Sequence, residues 1–564
     1  MNLGHLVTQA ARRNGDAIAL VWGERQWTWR AFDRRIDAIA AALATQFKVV
    51  KGDRILVQSV NCNQMFESMF ACFRLGAVWV PSNFRQTPDE VAYVARASGA
   101  VGLLCGVAFD AHADACRAQC PDLRFAVTIG SQPRSPAHGD EEPAAPLRAN
   151  RSGPDTADLG PPGPADLGLP EAAERRLPHD YDELVARYDG RSVPAAPVDR
   201  DDPCWFFFTS GTTGRPKAAV LTHGQMAFVV TNHLCDLMPG TTPEHDASLV
   251  VAPLSHGAGI HQLAQVARGV KTILLSSERF DIEEAWALVE KWRITNLFTV
   301  PTILKMLVEH PAVDERDHSS LRYVIYAGAP MYRADQKRAL SKLGPVLVQY
   351  FGLGEVTGNI TVLPPGHHHL DDTPQARIGT CGFERTGMQV SIQDEAGREL
   401  PPGDQGEICV AGPAVFAGYH DNPEANEKAF RDGWFRTGDL GHMDESGFLY
   451  ITGRASDMYI TGGSNVYPRE IEEKLLTHPD VSEVAVLGVP DATWGEVGVA
   501  VCVLRPGAAL SESELAGWFE GKVARYKKPK RIYFWESMPK SAYGKITKKM
   551  IREELARRGE TGAA

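Results

Sequence analysis

Between residues 53 and 82 the chain passes from "DRILVQS" (53–59) through "QMFESMFACFRLG" (64–76) to "AVWVPS" (77–82). The outer pieces are short apolar runs of strand length, and the middle piece spaces its apolar residues as a helix does. "TWRAFDRRIDAIAAAL" (28–43) has the same helical spacing, and further apolar runs stand at "SLVVAPL" (248–254), "TILLSS" (272–277) and "YVIYAG" (323–328). A strand–helix–strand rhythm of this kind predicts an α/β architecture, with largely parallel strands covered by helices.

At 564 residues the chain exceeds what one hydrophobic core usually accommodates, so two or more domains are expected. Two stretches break the rhythm. Residues 131–198, which include "SGPDTADLGPPGPADLGLPEAAERR" (152–176), are rich in proline, glycine and acidic residues and read as a mobile surface insertion. After about residue 455, "VSEVAVLGVP" (481–490), "VGVAVCVLRP" (497–506) and "RIYFWESMP" (531–539) read as strands, with helices at 468–476 and 511–524. The expected organisation is therefore a large N-terminal α/β domain over 1–454 and a small, mobile C-terminal α+β domain over 455–564. "GRASD" (453–457) is the joint.

Composition excludes more than it selects. A net charge of −11 argues against a general nucleic-acid binder, which needs a basic face. No apolar run is long enough to cross a bilayer. The N-terminal stretch lacks the basic-then-apolar order of a signal peptide. The ten cysteines are scattered, and the one close pair, Cys116 and Cys120, reads as two buried thiols rather than a metal site. A reducing cytoplasm fits. The triplet "HHH" (367–369) follows "LPPG" without ligand spacing to acids and is expected on an exposed loop.

The densest chemical signal is "TSGTTGRPK" (209–217), set against the apolar run "CWFFF" (204–208). Gly211 and Gly214 permit close backbone approach, so successive N–H groups can converge on phosphate oxygens. Thr209, Ser210, Thr212 and Thr213 add hydroxyl donors, and Lys217 adds charge. The spacing is not that of the common P-loop. Three distant pieces suit the same polyphosphate ligand. Asp439 in "GWFRTGDL" (433–440) can accept hydrogen bonds from both hydroxyls of a ribose. Glu355 in "YFGLGEVTG" (350–358) is a candidate single carboxylate for Mg²⁺. Lys545 in "PKSAYGKITKK" (539–549) is expected on a turn. Taken singly, each has a plain reading as a turn former, a surface acid or a solvated lysine.

Taken together, these motifs closely resemble the adenylate-forming family that includes acyl-CoA synthetases, firefly luciferase and nonribosomal-peptide adenylation domains. The resemblance runs from about Leu3 to Leu555, interrupted by 131–198. It also rests on "GDRILVQSVN", "RLGAVWVPSNFR", "PLSHGAG", "YAGAPM", "GEICVAGPAVFAGY" and "ITGRASDMYITGGSNVYPREIE". It implies an ATP-dependent acid:CoA ligase that makes an acyl-adenylate and transfers the acyl group to coenzyme A, releasing AMP and pyrophosphate. The loop 209–217 would hold the β- and γ-phosphates, with Thr209 and Glu355 assisting Mg²⁺. Gly328, Ala329 and Pro330 would line the adenine pocket, with Phe351 on the ring and Gly352 beside it. Asp439 and Arg454 would hold the ribose, and Lys545 would approach the carboxylate and the α-phosphate. A lysine and a metal aimed there meet the charge that builds on a transferring phosphoryl group. The small domain would rotate between half-reactions, and Gly462 and Gly463 would let the pantetheine arm run close to backbone. His256 would lie near the acyl carbon, although a lone histidine is more often structural.

Two positions depart from the family pattern. Gly354 stands where Ser or Thr usually precedes the glutamate, with Thr357 a candidate substitute, and Ser456 stands where the hinge usually has Asp or Lys. The acid is expected in a pocket bounded by 227–237, 255–263, 326–329 and 351–354. There Gly257, Ala258, Gly259, Ala327, Gly352 and Gly354 suggest a roomy apolar cavity for a fatty or aryl acid. No arginine in these segments awaits a second carboxylate, and His261 could meet a polar substituent or a helix neighbour. A homodimer is admitted. The competing readings are loading of a separate carrier protein, a luciferase-like oxygenase, and a non-catalytic nucleotide-binding relative.

Overall fold

The computed structural model describes residues 1–130, 177–210, 216–277, 280–329, 331–454, 457–461, 464–491, 493–540 and 546–560. The first of its three sheets runs, from edge to edge, Phe125–Ile129, Gly102–Gly106, Arg54–Gln58, Val78–Pro81, Pro203–Ser210 and Pro216–Thr222. All neighbours are parallel except the last pair, which is antiparallel. The expected strand–helix–strand unit is present as Arg54–Gln58, the helix Asn63–Leu75 and Val78–Pro81. Gly76 ends its helix in the left-handed region, at φ 66°.

The second sheet has a parallel centre of Leu347–Phe351, Tyr323–Tyr326, Asn296–Thr299, Ala247–Val250, Lys271–Leu274 and Ile18–Trp22. It continues into an antiparallel arm that the rhythm did not announce. That arm is built from Thr361–Leu363, Thr380–Glu384, Phe448–Arg454, Trp434–Met443, Gly406–Ala411 and Gln389–Gln393. The third, smaller sheet pairs Val481–Asp491 with Gly495–Leu504 antiparallel, and Arg531–Phe534 joins the latter in parallel. The helices Pro468–Leu475 and Glu512–Phe519 pack against it around Ile471, Leu475, Leu515 and Phe519. The chain is thus α/β with a small α+β C-terminal unit.

Two expectations need correction. Of the tract 131–198, residues 131–176 lie outside the described residues, but packing resumes at Leu177. Tyr181 is fully buried, and Asp182 at the start of the helix Tyr181–Arg187 pairs with Arg35, whose other partner is the sealed Glu67. Within 177–187 the apolar Leu177, Tyr181, Leu184 and Val185 supply the buried contacts that 152–176 lacks the composition to make. The histidine triplet is not simply an exposed loop. His368 is buried, with Nε2 3.1 Å from the Tyr326 hydroxyl and Nδ1 3.0 Å from the Pro364 carbonyl, and burial lowers its pKa to about 4. All ten cysteines are free thiols and nine are buried, Cys116 and Cys120 among them. No described helix is long and apolar enough to span a membrane.

Candidate active site

Alternation along Pro203–Ser210 sorts its side chains between two faces. Phe206 and Phe208 enter the core formed with Val80, Val91 and Ala95, whereas Trp205 and Phe207 turn to the opposite core. Thr209 shares the face of Phe207, and opposite it in the hairpin stands Lys217. The hairpin therefore stands at the edge of a buried sheet. Its tip, with Gly211, Thr212, Thr213 and Gly214, lies outside the described residues, as do Pro330, Gly462, Gly463, Ser456 and Lys545. Ser210 closes its strand.

Thr209 and Glu355, 146 residues apart, meet. The Thr209 hydroxyl donates to Glu355 Oε1 at 2.7 Å, and the Tyr419 hydroxyl donates to the same oxygen at 3.0 Å. Tyr419 reaches this point because residues 416–420 run as an extra extended segment beside Pro216–Thr222, with Ala417 N–H donating to Val220 O and Val220 N–H to Gly418 O. The Phe416 N–H donates to the Glu355 carbonyl at 2.8 Å and fixes the short 3₁₀ turn that carries the acid. Burial, then the Glu355 charge, push the Tyr419 phenol up, so it remains a donor. The Lys217 Nζ lies 5.0 Å from the Tyr419 ring centroid, a cation–π contact that draws it to the same corner. The sequence reading missed Tyr419, although it closes the quoted motif "GEICVAGPAVFAGY".

The resemblance implies a divalent cation here, and the donor set fits one. Glu355 is a buried carboxylate whose Oε2 takes no hydrogen bond among the described residues, with a threonine hydroxyl alongside. Mg²⁺ commonly takes one or two protein carboxylates and fills its remaining positions with phosphate and water.

Asp439 and Arg454 stand opposite each other across Trp434–Met443 and Phe448–Arg454, with Arg454 Nε 2.9 Å from Asp439 Oδ1. Gly438 at φ 73° and the Thr437 hydroxyl, which accepts the Asp439 N–H at 3.0 Å, turn the buried carboxylate at this bend. Gly328, at φ 83°, and Ala329 are exposed just beyond Tyr323–Tyr326, and Phe351 ends Leu347–Phe351 half-buried. His256 precedes the helix Gly257–Arg268, with Nδ1 2.9 Å from the Ser255 hydroxyl and its ring edge-on to Phe207 at 5.3 Å.

The small residues expected to open a roomy cavity instead admit close neighbours. A Cβ on Gly354 would lie 2.7 Å from the Phe207 ring and 2.8 Å from the Thr209 methyl. One on Gly257 would meet Phe298 at 2.6 Å, one on Gly259 the Leu254 carbonyl at 2.0 Å, and one on Gly352 the Gly358 backbone at 2.4 Å. The departure at Gly354 therefore has a steric cause: Phe207 occupies the space a hydroxyl-bearing side chain would need. Thr357 does not replace that hydroxyl, because it is buried, donates to the Val356 carbonyl at 2.6 Å and accepts from Asn359 at 2.9 Å. His261 is a structural group. It is sealed in the core with Nε2 2.9 Å from Asn296 Oδ1, and burial lowers its pKa to about 4.

The acid side holds residues outside the segments considered from sequence. Tyr350 stacks on Phe298 at 5.8 Å, and Arg385 lies 5.9 Å from the Tyr350 centroid. Arg385 is fully buried, 3.6 Å from Asp236, and desolvation lowers its pKa to about 10. An arginine therefore does lie near the pocket segments, with a carboxylate partner of its own.

Residues 7–420 match the family model described as AMP-binding enzyme, and residues 470–545 match the one described as AMP-binding enzyme C-terminal domain. A feruloyl-CoA synthase of Amycolatopsis sp is 33% identical over 555 residues, covering 98% of this chain and 99% of the relative. A fatty acid–[acyl-carrier-protein] ligase of Streptomyces coeruleorubidus is 30% identical over 540 residues, covering 94% and 92%. The structure of o-succinylbenzoate CoA synthetase from Bacillus subtilis in complex with its acyl-adenylate intermediate superposes with a TM-score of 0.79. It is 27% identical and covers 97% of this chain and 98% of that one.

Proposed function

The chain belongs to the AMP-binding enzyme family and is an acid:CoA ligase acting through an acyl-adenylate; from that premise we propose how its own residues divide the work. The loop 209–217 cradles the β- and γ-phosphates of ATP. Thr209 and Glu355 would hold Mg²⁺, which when bound neutralises phosphate charge. Asp439 and Arg454 hold the ribose hydroxyls. Gly328, Ala329, Pro330, Phe351 and Gly352 border the adenine. Lys545, carried on a C-terminal unit of residues 455–564 that moves against 1–454, lies between the substrate carboxylate and the α-phosphate.

In the first half-reaction a carboxylate oxygen attacks the α-phosphorus and pyrophosphate leaves. In the second, the coenzyme A thiol loses its proton, its sulfur attacks the acyl carbon, and AMP leaves. Lys545 offsets the repulsion between the two anions in the first step and is withdrawn for the second, when Gly462 and Gly463 line the pantetheine path. His256 borders the acyl carbon. The observation that carries this reading is the Glu355 carboxylate, held at Oε1 by two hydroxyls with Oε2 unbonded among the described residues, beside the hairpin that bears the loop 209–217. Free thiols throughout support a reducing, cytoplasmic setting. Fatty and aryl acids are the substrate class, in keeping with what the relatives are named for.

The test is a panel of fatty and aryl acids assayed for AMP release with and without coenzyme A. Thioester formed with free coenzyme A supports the ligase reading. Turnover only on a carrier protein would favour the carrier-loading alternative, for which the carrier-protein ligase among the relatives speaks. Lys545→Ala is expected to abolish acid-dependent ATP–pyrophosphate exchange and to spare thiol attack on supplied acyl-adenylate. Equal loss of both half-reactions would remove Lys545 from its assigned role.

A further inference from the structure

Tyr350 is 7% exposed, and its hydroxyl makes no hydrogen bond among the described residues. The hydroxyl is not among the polar atoms sealed from solvent, so it is the accessible end of a buried ring, where a ligand oxygen can accept from it. Its ring is held from several sides: Phe298 stacks on it, the Gly358 backbone crowds it so closely that a Cβ there would lie 2.4 Å from its edge, and Arg385 is 5.9 Å from its centroid. The hydroxyl points toward Gly257, 3.3 Å from where a Cβ on that residue would sit, beside His256. Gly257 thus leaves a donor open at the acid side of the site. The neighbouring polar groups cannot take this role, because His233 Nε2, His261 Nδ1 and Arg385 Nε are sealed away from solvent.

We propose that the Tyr350 hydroxyl is a specificity determinant that donates a hydrogen bond to a neutral oxygen substituent (hydroxyl, ether or keto) of the carboxylic acid substrate. Neutrality follows from charge balance, since the nearby cation, Arg385, already faces Asp236 at 3.6 Å. A second substrate carboxylate would leave one negative charge unbalanced in the core. Arg385 is a positioning residue behind the ring. The inference rests on the acid:CoA ligase reading and names the acids that reading leaves open.

The experiment measures kcat/KM for AMP release, with coenzyme A present, on benzoic, phenylpropenoic and octanoic acids, each with and without one hydroxyl group at successive positions. The wild-type protein is expected to favour the hydroxylated member of at least one pair by about tenfold or more. Tyr350→Phe, which keeps the ring, should bring that ratio toward one; Tyr350→Met serves if the first variant fails to fold. Wild-type preference for the unsubstituted member of every pair overturns the proposal, as does a ratio that survives in both variants. Turnover of no acid at all overturns the ligase reading, and this inference with it.

Discussion

The nucleotide side and the acid side of the site are built to opposite rules. On the nucleotide side, polar groups from distant segments meet and leave chosen atoms open: Glu355 is bonded at Oε1 by Thr209 and Tyr419, and Asp439 is braced by Arg454. On the proposed acid side, polar groups other than the Tyr350 hydroxyl are sealed in the core, with His261 on Asn296 and Arg385 beside Asp236, and space is set by rings pressed against glycines. The first arrangement is electrostatic and tolerates many substrates, because the nucleotide is common to all of them. The second is steric, so changes there should alter stability and selectivity before they alter phosphate chemistry.

Glu355→Gln is the largest test of the electrostatic side. It keeps shape but removes the charge proposed to face the nucleotide-bound metal, and acid-dependent ATP–pyrophosphate exchange should fall by about 10²–10³-fold with little change in melting temperature. Retained exchange would place the essential carboxylate elsewhere. The buried imidazoles supply the next effect. His261, lowered from near 6.5 to about 4 by burial, binds fewer protons folded than unfolded between those values. The stability it contributes is therefore present above pH 6.5 and lost as pH falls toward 4. His223 and His368, shifted the same way, add to the slope. Urea midpoints at pH 7.5, 6 and 5 should drop progressively, and less steeply in His261→Gln. Parallel slopes would show that His261 is not buried neutral.

Gly354→Ser probes the boundary between the two sides. Its Cβ would press on Phe207 and the Thr209 methyl, so a loss of roughly 1–3 kcal/mol is expected, read from denaturant unfolding. Phe207→Ala should make the serine tolerable in the double variant. Additive losses would break the steric account of the missing hydroxyl. The smallest expected effect is Tyr419→Phe, which removes one of two hydrogen bonds to Glu355 and should cost about 1 kcal/mol, a few-fold in adenylation. A raised Mg²⁺ requirement would accompany it if Tyr419 aims the carboxylate, whereas an unchanged metal dependence would reduce it to packing.

The proposed nucleotide side is drawn from short ordered motifs with local backbone demands. Glycines cluster in the motif 209–217, and Asp439 follows a Thr-Gly bend that the structure retains, with Gly438 at φ 73°. Tyr419 was within reach, at the end of a quoted motif, but its bond to Glu355 depends on residues 416–420 being laid beside Pro216–Thr222. The acid side was misread where residue size stood for empty space. Gly257 and Gly259 are small because Phe298 and the Leu254 carbonyl occupy the positions of their missing side chains. Tyr350 lies one residue before the segment considered, and Arg385 enters from a strand end that no spacing connects to it.

By itself the sequence determined the α/β rhythm and the separate C-terminal unit, and it carries the proposed order of phosphate, metal and ribose residues, because periodicity, turn chemistry and charge act over a few residues at a time. Tertiary structure alone decided that Phe207 fills the place of a hydroxyl side chain, that Tyr350 keeps a donor unbonded among the described residues beside Gly257, and that the chain rejoins the core at Leu177. Those outcomes depend on which distant side chain occupies a given few cubic ångströms. Close packing settles that only when the whole chain is assembled.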